Sequence, residues 1–498
     1  MYLNLVEDDM LIDVLIVVGV LFLLFITFLL AKTALYGKSA PDVEPLEGVK
    51  IDSETAASHL ADMVRCQTIS FLDRSKIDPQ PFYEIHDLLE KNYPLVHSTL
   101  RREKINQFSL LYTWQGENPD LDPVLYASHL DVVPVEASTL SDWQQPPFEG
   151  KIVDGFIWGR GTLDTKSTAA AALEAIEHLI GAGFKPQRTI YLGFGHDEEI
   201  GGSEGAAKIA ILLKERGVHL SAVLDEGGAI LQGFLPGIAM PTALIGVGEK
   251  GYLTVELVAQ GPTGHSAMPP DHTAIGILAQ GITRIEAARM PVRMQMFNLM
   301  FSYLSTALPF FQRLVFANQW LFGGVIRRRL EKTAMTNAAI HTTKAVTIVA
   351  GGVKDNILPS SAKALVNLRL MPGDTIRDVC DRLRKIIGDD RIQLSVSGGG
   401  WEASPVSSHE SATYFLLAHT IRQFFPAAVV APYLVLGATD SRYYANLCDH
   451  VYRFSPYLAT REAMSTVHAA NERISVNSLT RMVQFYVQLI QAWNEDVK

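Results

Sequence analysis

The chain has 498 residues, 48% of them hydrophobic and 19% charged, with a formal net charge of −10 and a pI near 5.8. This composition excludes a disordered protein and supplies apolar material for about three units of roughly 150 residues each. It also argues against a nucleic-acid partner, because no long basic block is present; the conspicuous basic cluster, Arg327-Arg328-Arg329, reads as a solvated helix end, with membrane-lipid contact as the alternative.

Residues 1–39 form the first predicted unit. Residues 14–31 are an uncharged apolar run, long enough to cross a bilayer at about 1.5 Å per residue. Glu7, Asp8, Asp9 and Asp13 precede it where a cleaved signal peptide would carry basic residues, and no small-residue cleavage site follows, so the run reads as a single-pass membrane anchor. Lys32 and Lys38 on its carboxyl side favour a cytoplasmic catalytic domain. Residues 40–50, with two prolines and three acidic residues, read as a linker.

Residues 51–245 read as the first part of a catalytic domain. Residues 124–128 form a buried strand that delivers His129 and, two residues on, Asp131, at the strand end where open α/β sheets place their sites. A glycine-punctuated loop, 158–166, carries Asp164 into an alanine-rich helix over 167–180, whose Ser167 hydroxyl is placed to cap the first turn. A second strand, 189–194, runs into Gly195-His-Asp-Glu-Glu-Ile-Gly-Gly202. The adjacent Glu198 and Glu199 leave the backbone in different directions, so one can hold a metal while the other faces its water. The apolar residues 222–224 end directly at Asp225, which is favoured as a ligand for that reason; Glu226 is the alternative.

Residues 246–397 fit an inserted unit, with a strand at 252–258, a helix at 273–288 and a strand at 345–349. It contains Gly261-Pro-Thr-Gly-His265-Ser-Ala-Met-Pro-Pro270, Asn356 and Arg369. Within it, residues 294–326 carry an apolar excess too broken for a second span, read first as helical core and alternatively as an acyl-chain channel or membrane-touching surface. Residues 398–498 return to the catalytic domain with Gly437-Ala-Thr-Asp-Ser-Arg-Tyr443 and His468. Cys66, Cys380 and Cys448 share no metal-binding spacing and imply no disulfide framework.

A lone histidine or an acidic pair is ordinary in any protein. The ordered set His129, Asp164, Glu199, Asp225 and His468, with Glu198 beside the third, is sufficient for two metal ions and a general base. Imidazole and carboxylate donors suit Zn²⁺ without thiolates.

These segments resemble the zinc exopeptidases and amidohydrolases that include glutamate carboxypeptidase, aminoacylase and carboxypeptidase S, over nearly everything after the first fifty residues. The resemblance implies an α/β fold, with a central mixed sheet flanked by helices and an inserted α+β lid. It implies two Zn²⁺ per subunit, with Co²⁺ or Mn²⁺ compatible: one on His129, Asp164 and Asp225, the other on Asp164, Glu199 and His468. Glu198 would be the general base and Asp131 a supporting residue. His265 would stabilise the oxyanion, often from a neighbouring subunit, which raises a homodimer through the lid. Asn356 and Arg369 would contact substrate from the lid, and Thr439, Ser441 and Arg442 would line its carboxylate end. The bond after Asp164 is commonly cis in such enzymes, although Thr165 stands where many relatives carry aspartate.

The anchor, the apolar insertion and the 195–202 segment together look most like the carboxypeptidase S branch, which also contains enzymes that hydrolyse and re-form N-fatty-acyl amino acids. The expected protein is therefore a membrane-anchored dizinc amidohydrolase. Its substrate would be a small molecule with a free carboxylate and an apolar acyl group. A peptide carboxypeptidase is the close alternative, and an inactive tethered scaffold is disfavoured because all six positions are filled. Carboxypeptidase S is vacuolar and its relatives are secreted, against the charge-based orientation, so the sequence leaves the side of the membrane open.

Overall fold

The computed structural model describes residues 2–38, 41–233 and 237–494. The first helix, α1, runs Tyr2–Ala34 and contains an apolar stretch, Ile12–Ala34, of 23 residues with flanks open to the surroundings. Residues after Pro41 lack regular structure up to Asp52, yet they do not hang free. Leu46 donates to the Gln423 carbonyl, Gln484 donates to the Val49 carbonyl and Lys38 pairs with Glu410. The expected linker is thus laid against the later part of the chain, at Glu410, Gln423 and Gln484. Asp52 accepts from Glu54 and Thr55 and so caps α2, Ser53–Arg65.

Seven strands of the first sheet follow: β1 (Arg101–Ile105), β2 (Ser109–Trp114), β3 (Val124–His129), β4 (Ile190–Gly195), β5 (Ala222–Asp225), β6 (Ile230–Gln232) and β7 (Thr242–Glu249). Between β3 and β4 lies α3, Lys166–Gly181, buried along most of its first three turns. Its alanines let it pack closely on the sheet and on the C-terminal helix. The N-cap position is Thr165, without a side-chain cap. Ser167 does not cap as expected; its hydroxyl is buried without a partner.

The chain then leaves the sheet. Strands β8 (Gly251–Gln260), β9 (Thr343–Gly351), β10 (Ser361–Leu370) and β11 (Ile392–Trp401) form a separate four-stranded antiparallel sheet in the order β9-β10-β8-β11. Along β8 buried and half-exposed residues alternate, as one covered face requires. That face packs on α4 (Ala274–Ala287) and, after three helices α5 (Gln295–Tyr303), α6 (Phe310–Ala317) and α7 (Gln319–Leu330), on α8 (Ile376–Ile387). The helices α5 to α7 come from the apolar insertion, but they do not join this core. Met296, Met300, Phe301 and Phe316 pack instead against the core of the first sheet.

The return adds β12 (Val429–Val435), β13 (Val451–Arg453) and β14 (Leu458–Thr460), and α9 (Val476–Ala492) closes the chain. The first sheet is mixed and ten-stranded, in the order β1-β2-β4-β3-β5-β13-β7-β6-β14 with β12 on β7. Its middle strands β4, β3, β5 and β13 run parallel, so their carboxyl ends share one edge.

The two crossings between units lie side by side. The Glu249 amide donates to the Ser404 hydroxyl and the Ser404 amide to the Glu249 carbonyl. A Cβ on Gly251 would fall 2.6 Å from the Trp401 oxygen and the Ala403 nitrogen, so only glycine fits. Gly251→Ala is expected to force these backbones apart at about 1–3 kcal/mol, seen as a lowered unfolding midpoint in calorimetry; an unchanged midpoint would refute the tight crossing.

Candidate metal centre

β3 and β4 end in register, with His129 opposite Gly195, and β5 ends on the other side of β3. His129, the 195–199 turn and residues 225–226 therefore emerge at one edge, as expected for parallel strands. Asp164 arrives from the loop ahead of α3, and its bond to Thr165 is cis. His468 arrives from the loop before α9 with a left-handed backbone, φ 59°, a conformation costing about 1–2 kcal/mol in a non-glycine residue.

The side chains fall into two groups, His129 with Asp164 and Glu226, and Asp164 with Glu199 and His468. Asp164 spans them. Its Oδ1 lies 3.2 Å from His129 Nε2 and its Oδ2 lies 3.0 Å from His468 Nε2. Glu226 Oε1 is 3.2 Å from His129 Nε2, and Glu199 Oε2 is 3.1 Å from His468 Nε2. Glu198 belongs to neither group, but its Oε2 faces the same imidazole at 3.9 Å.

The geometry departs from the sequence expectation at Asp225, since Glu226 stands in the place foreseen for it. Asp225 is still in the ladder, paired with Arg453, and its carbonyl accepts from Phe454 at 2.7 Å. Alternation along the strand turns its side chain to the other face, among Thr439, Glu249 and Arg453. Glu226, the first residue beyond the ladder, turns back toward His129. An acidic pair at a strand end is ambiguous by one residue, and one residue reverses the direction of the side chain.

Asp131 serves as a brace. One oxygen accepts from the Glu198 amide at 3.1 Å, and the other from the Glu199 amide at 3.2 Å and the Ser70 hydroxyl at 2.7 Å. Its carbonyl lies 3.0 Å from His129 Nδ1, which fixes that ring proton and aims Nε2 into the site. Glu472 does the same for the Asp164 loop. It is buried, accepts from the amides of Gly161, Leu163 and Asp164 at 2.8–3.2 Å and pairs with Arg160 at 2.6 Å. Lys166, also buried, donates to the Met63 and Cys66 carbonyls. Sequence reasoning missed Ser70, Lys166 and Glu472. Glu472 lies close to His468, but its partners are some 310 positions away, and no local pattern marks such a pairing.

The centre is crowded with carboxylates. Burial raises the pKa of Glu198 well above the ordinary range, and burial beside Asp164 takes Glu226 to about 7. Hydrogen bonds to Asp164 and Glu199 take His468 to about 10. Glu199 Oε1 is buried with no partner. An excess of anionic oxygens, two imidazole nitrogens and an orphaned carboxylate oxygen suit hard or borderline divalent cations.

The foreseen substrate contacts divide. The Arg369 guanidinium lies over Tyr252 at 4.9 Å, Tyr252 stacks on Trp401 at 4.8 Å, and Arg442 lies over Trp401 at 4.4 Å. Burial lowers the Arg369 pKa while Glu198 pulls it up, so this cation faces the centre's negative field. Thr439 and Ser441 are buried and bonded to each other, and Thr439 holds Glu249 through its amide and hydroxyl at 3.0 Å. His265 and Asn356 lie together on a small ribbon of the inserted unit, where His265 pairs with Ile357 and Ser266 donates to the Asn356 carbonyl. Among the described residues no hydrogen bond or ion pair joins His265 to the two acidic groups.

A mixed α/β sheet carrying such a centre at its strand ends, with an inserted lid, defines a metal-dependent hydrolase of amide or peptide bonds. The chain belongs to Peptidase family M20/M25/M40, whose model matches residues 125–492. It is 41% identical to N-fatty-acyl-amino acid synthase/hydrolase PM20D1 of Xenopus tropicalis over 87% of this chain and 85% of that protein. It is 34% identical to carboxypeptidase S of Saccharomyces cerevisiae over 83% of this chain and 79% of that protein. Among solved structures, the M20 family metallo-carboxypeptidase Sso-CP2 of Sulfolobus solfataricus shares the fold at a TM-score of 0.65 and 18% identity, over 88% of this chain and 99% of that one.

Two outcomes are expected of metal binding. Glu226→Ala lowers the metal retained after dialysis, whereas Asp225→Ala retains it, as measured by plasma mass spectrometry; the reverse pattern would put Asp225 back in the ligand set. In the metal-free protein Glu226 and His468 hold protons up to about pH 7 and 10. Metal must displace those protons, so zinc affinity rises with pH, more steeply below pH 7 than above. Titration calorimetry at pH 6, 7 and 8 checks this, and a flat profile contradicts it.

Proposed function

We propose that this chain is a membrane-anchored dizinc amidohydrolase whose substrates are N-fatty-acyl amino acids. The observation that carries the dimetal reading is Asp164, with one oxygen toward each histidine-containing group. His129, Asp164 and Glu226 would hold one ion, and Asp164, Glu199 and His468 the other. When bound, such a pair supplies Lewis acidity toward water and an amide carbonyl.

The chain's own residues then have distinct tasks. Glu198, outside both ligand groups and raised in pKa by burial, takes the proton of the attacking water and returns it to the leaving nitrogen. Asp131 fixes the 198–199 backbone so that Glu198 faces the centre while Glu199 turns toward His468. The cations Arg369 and Arg442, held on aromatic faces, offer planar donors to the α-carboxylate beside the scissile amide. In the reverse direction the amine attacks the acyl carboxyl carbon, and Glu198 passes a proton from the attacking nitrogen to the departing oxygen, which leaves as water as the amide forms.

The acyl-amino-acid substrate is supported by the likeness to N-fatty-acyl-amino acid synthase/hydrolase PM20D1 of Xenopus tropicalis. A long acyl chain gains about 0.8 kcal/mol per CH₂ buried. The anchor reading rests on α1, whose apolar flanks stay exposed.

The test is competition between N-oleoyl-phenylalanine and an N-blocked dipeptide ending in phenylalanine, read by mass spectrometry on the zinc-loaded enzyme. Preference for the oleoyl amide is expected, with a loss of about 10²–10⁴-fold in Glu198→Gln at unchanged metal content. Preference for the dipeptide would make the chain a carboxypeptidase.

A further inference from the structure

We propose that the outer face of α6 and α7 is a second membrane contact, lying in the interfacial layer of the bilayer that α1 crosses. The inference rests on the anchor reading of α1. It adds a fixed orientation of the catalytic domain against the lipid surface.

The insertion has two unlike sides. Inward, Phe297 is buried, Phe301 stacks on Phe316 with centroids 4.3 Å apart, and α5 packs on the core of the first sheet. Outward, Phe310 is 55% exposed, Phe311 77%, Trp320 58%, Leu321 44% and Val325 63%. Large apolar side chains left open together mark a surface meant for an apolar partner.

The contact with α1 says which partner. Asn318, at the junction of α6 and α7, donates to the Leu29 carbonyl and lies 3.3 Å from the Thr33 hydroxyl. Arg313 donates to the carbonyls of Ala34 and Tyr36, and the Lys38 amide donates to the Ser302 carbonyl. Trp320 meets the rings of Phe25 and Phe28 at 6.2 and 6.3 Å. The apolar stretch ends at Ala34. Leu29 is five residues inside that end and Phe25 nine, or about 8 and 14 Å along a helix. The α6–α7 junction is thus pinned about 8 Å inside the end of the apolar stretch, with Trp320 beside rings lying about 9–14 Å inside it, so the outer face of α6 and α7 passes the headgroups and meets the acyl chains below them.

Charge agrees with this placement. No acidic residue lies between Met294 and Leu330. Arg327, Arg328 and Arg329 are exposed on the last turn of α7. Arg327 reaches Glu331, while Arg328 and Arg329 have no acidic partner among the described residues and fit anionic headgroups.

The test uses the full chain in phosphatidylcholine vesicles containing phosphatidylserine. Because the native cysteines are buried, nitroxide labels can be placed singly through Phe311→Cys, Val325→Cys, Leu21→Cys in α1, and Val353→Cys, a lid position 95% exposed. Paramagnetic-resonance saturation by oxygen and by a water-soluble nickel chelate reports depth. The expected result is a deep label at 21, boundary labels at 311 and 325, and an aqueous label at 353. Labels at 311 and 325 matching 353, with 21 still deep, would overturn this inference and leave the anchor standing. An aqueous label at 21 would overturn the anchor and this inference together. A label at 311 shielded from both reagents, with dipolar broadening between chains, would assign the face to a second copy and overturn the lipid contact.

Discussion

Concentrating buried negative charge around one carboxylate is the constraint to which much of the remaining architecture answers. Two unit charges 4 Å apart repel by about 4 kcal/mol in a medium of effective dielectric near 20, and Asp164, Glu198, Glu199 and Glu226 share one neighbourhood. Two buried acids outside the ligand groups relieve none of that charge, yet they make the positions obligatory. Asp131 grips the amides of the glutamate pair, and Glu472 grips the amides around Asp164 with Arg160 as its counter-ion. The backbone is held by acids so that other acids can be presented to two imidazoles with carboxylate oxygens in excess, which leaves a strong drive to take up cations.

The two arginines proposed to meet the substrate carboxylate are organised by a different principle. Arg369, Tyr252 and Trp401 belong to the inserted sheet, where they are cross-strand neighbours, whereas Arg442 comes from the catalytic part of the chain and stacks on Trp401. The stack therefore bridges the two units beside their crossing strands. Thr439 and Ser441, foreseen as substrate contacts, are instead tied to Glu249 at the end of β7. They stiffen the point where the chain leaves the first sheet, and Arg453 completes that buried pair at 3.3 Å. Buried ion pairing and an aromatic stack thus join the inserted unit to the first sheet where the chain crosses between them.

The amino-terminal helix is not a detached tether. Its last turns carry hydrogen bonds and ring contacts to α6 and α7, and the segment after it is bonded to the catalytic domain at several carbonyls. Orientation relative to α1 is thus built into the fold rather than left to a flexible connection.

The sequence by itself determined the strands that end at His129 and before the glutamate pair, the alternating strand of the inserted unit and the apolar amino-terminal helix. Each is a local pattern of period 2 or a long apolar run, readable without knowing what lies across the molecule. It also determined most of the centre, because strand ends announce which acids and histidines share an edge. Only the tertiary structure decided between Asp225 and Glu226, since the choice depends on whether the ladder with β13 extends one residue further. It alone revealed Glu472 and Lys166, whose partners are far off in sequence, and it alone moved the 294–326 insertion from the lid core to the catalytic core. Helical periodicity states that a face is apolar and does not state which surface covers it; that is fixed by the packing of the whole chain.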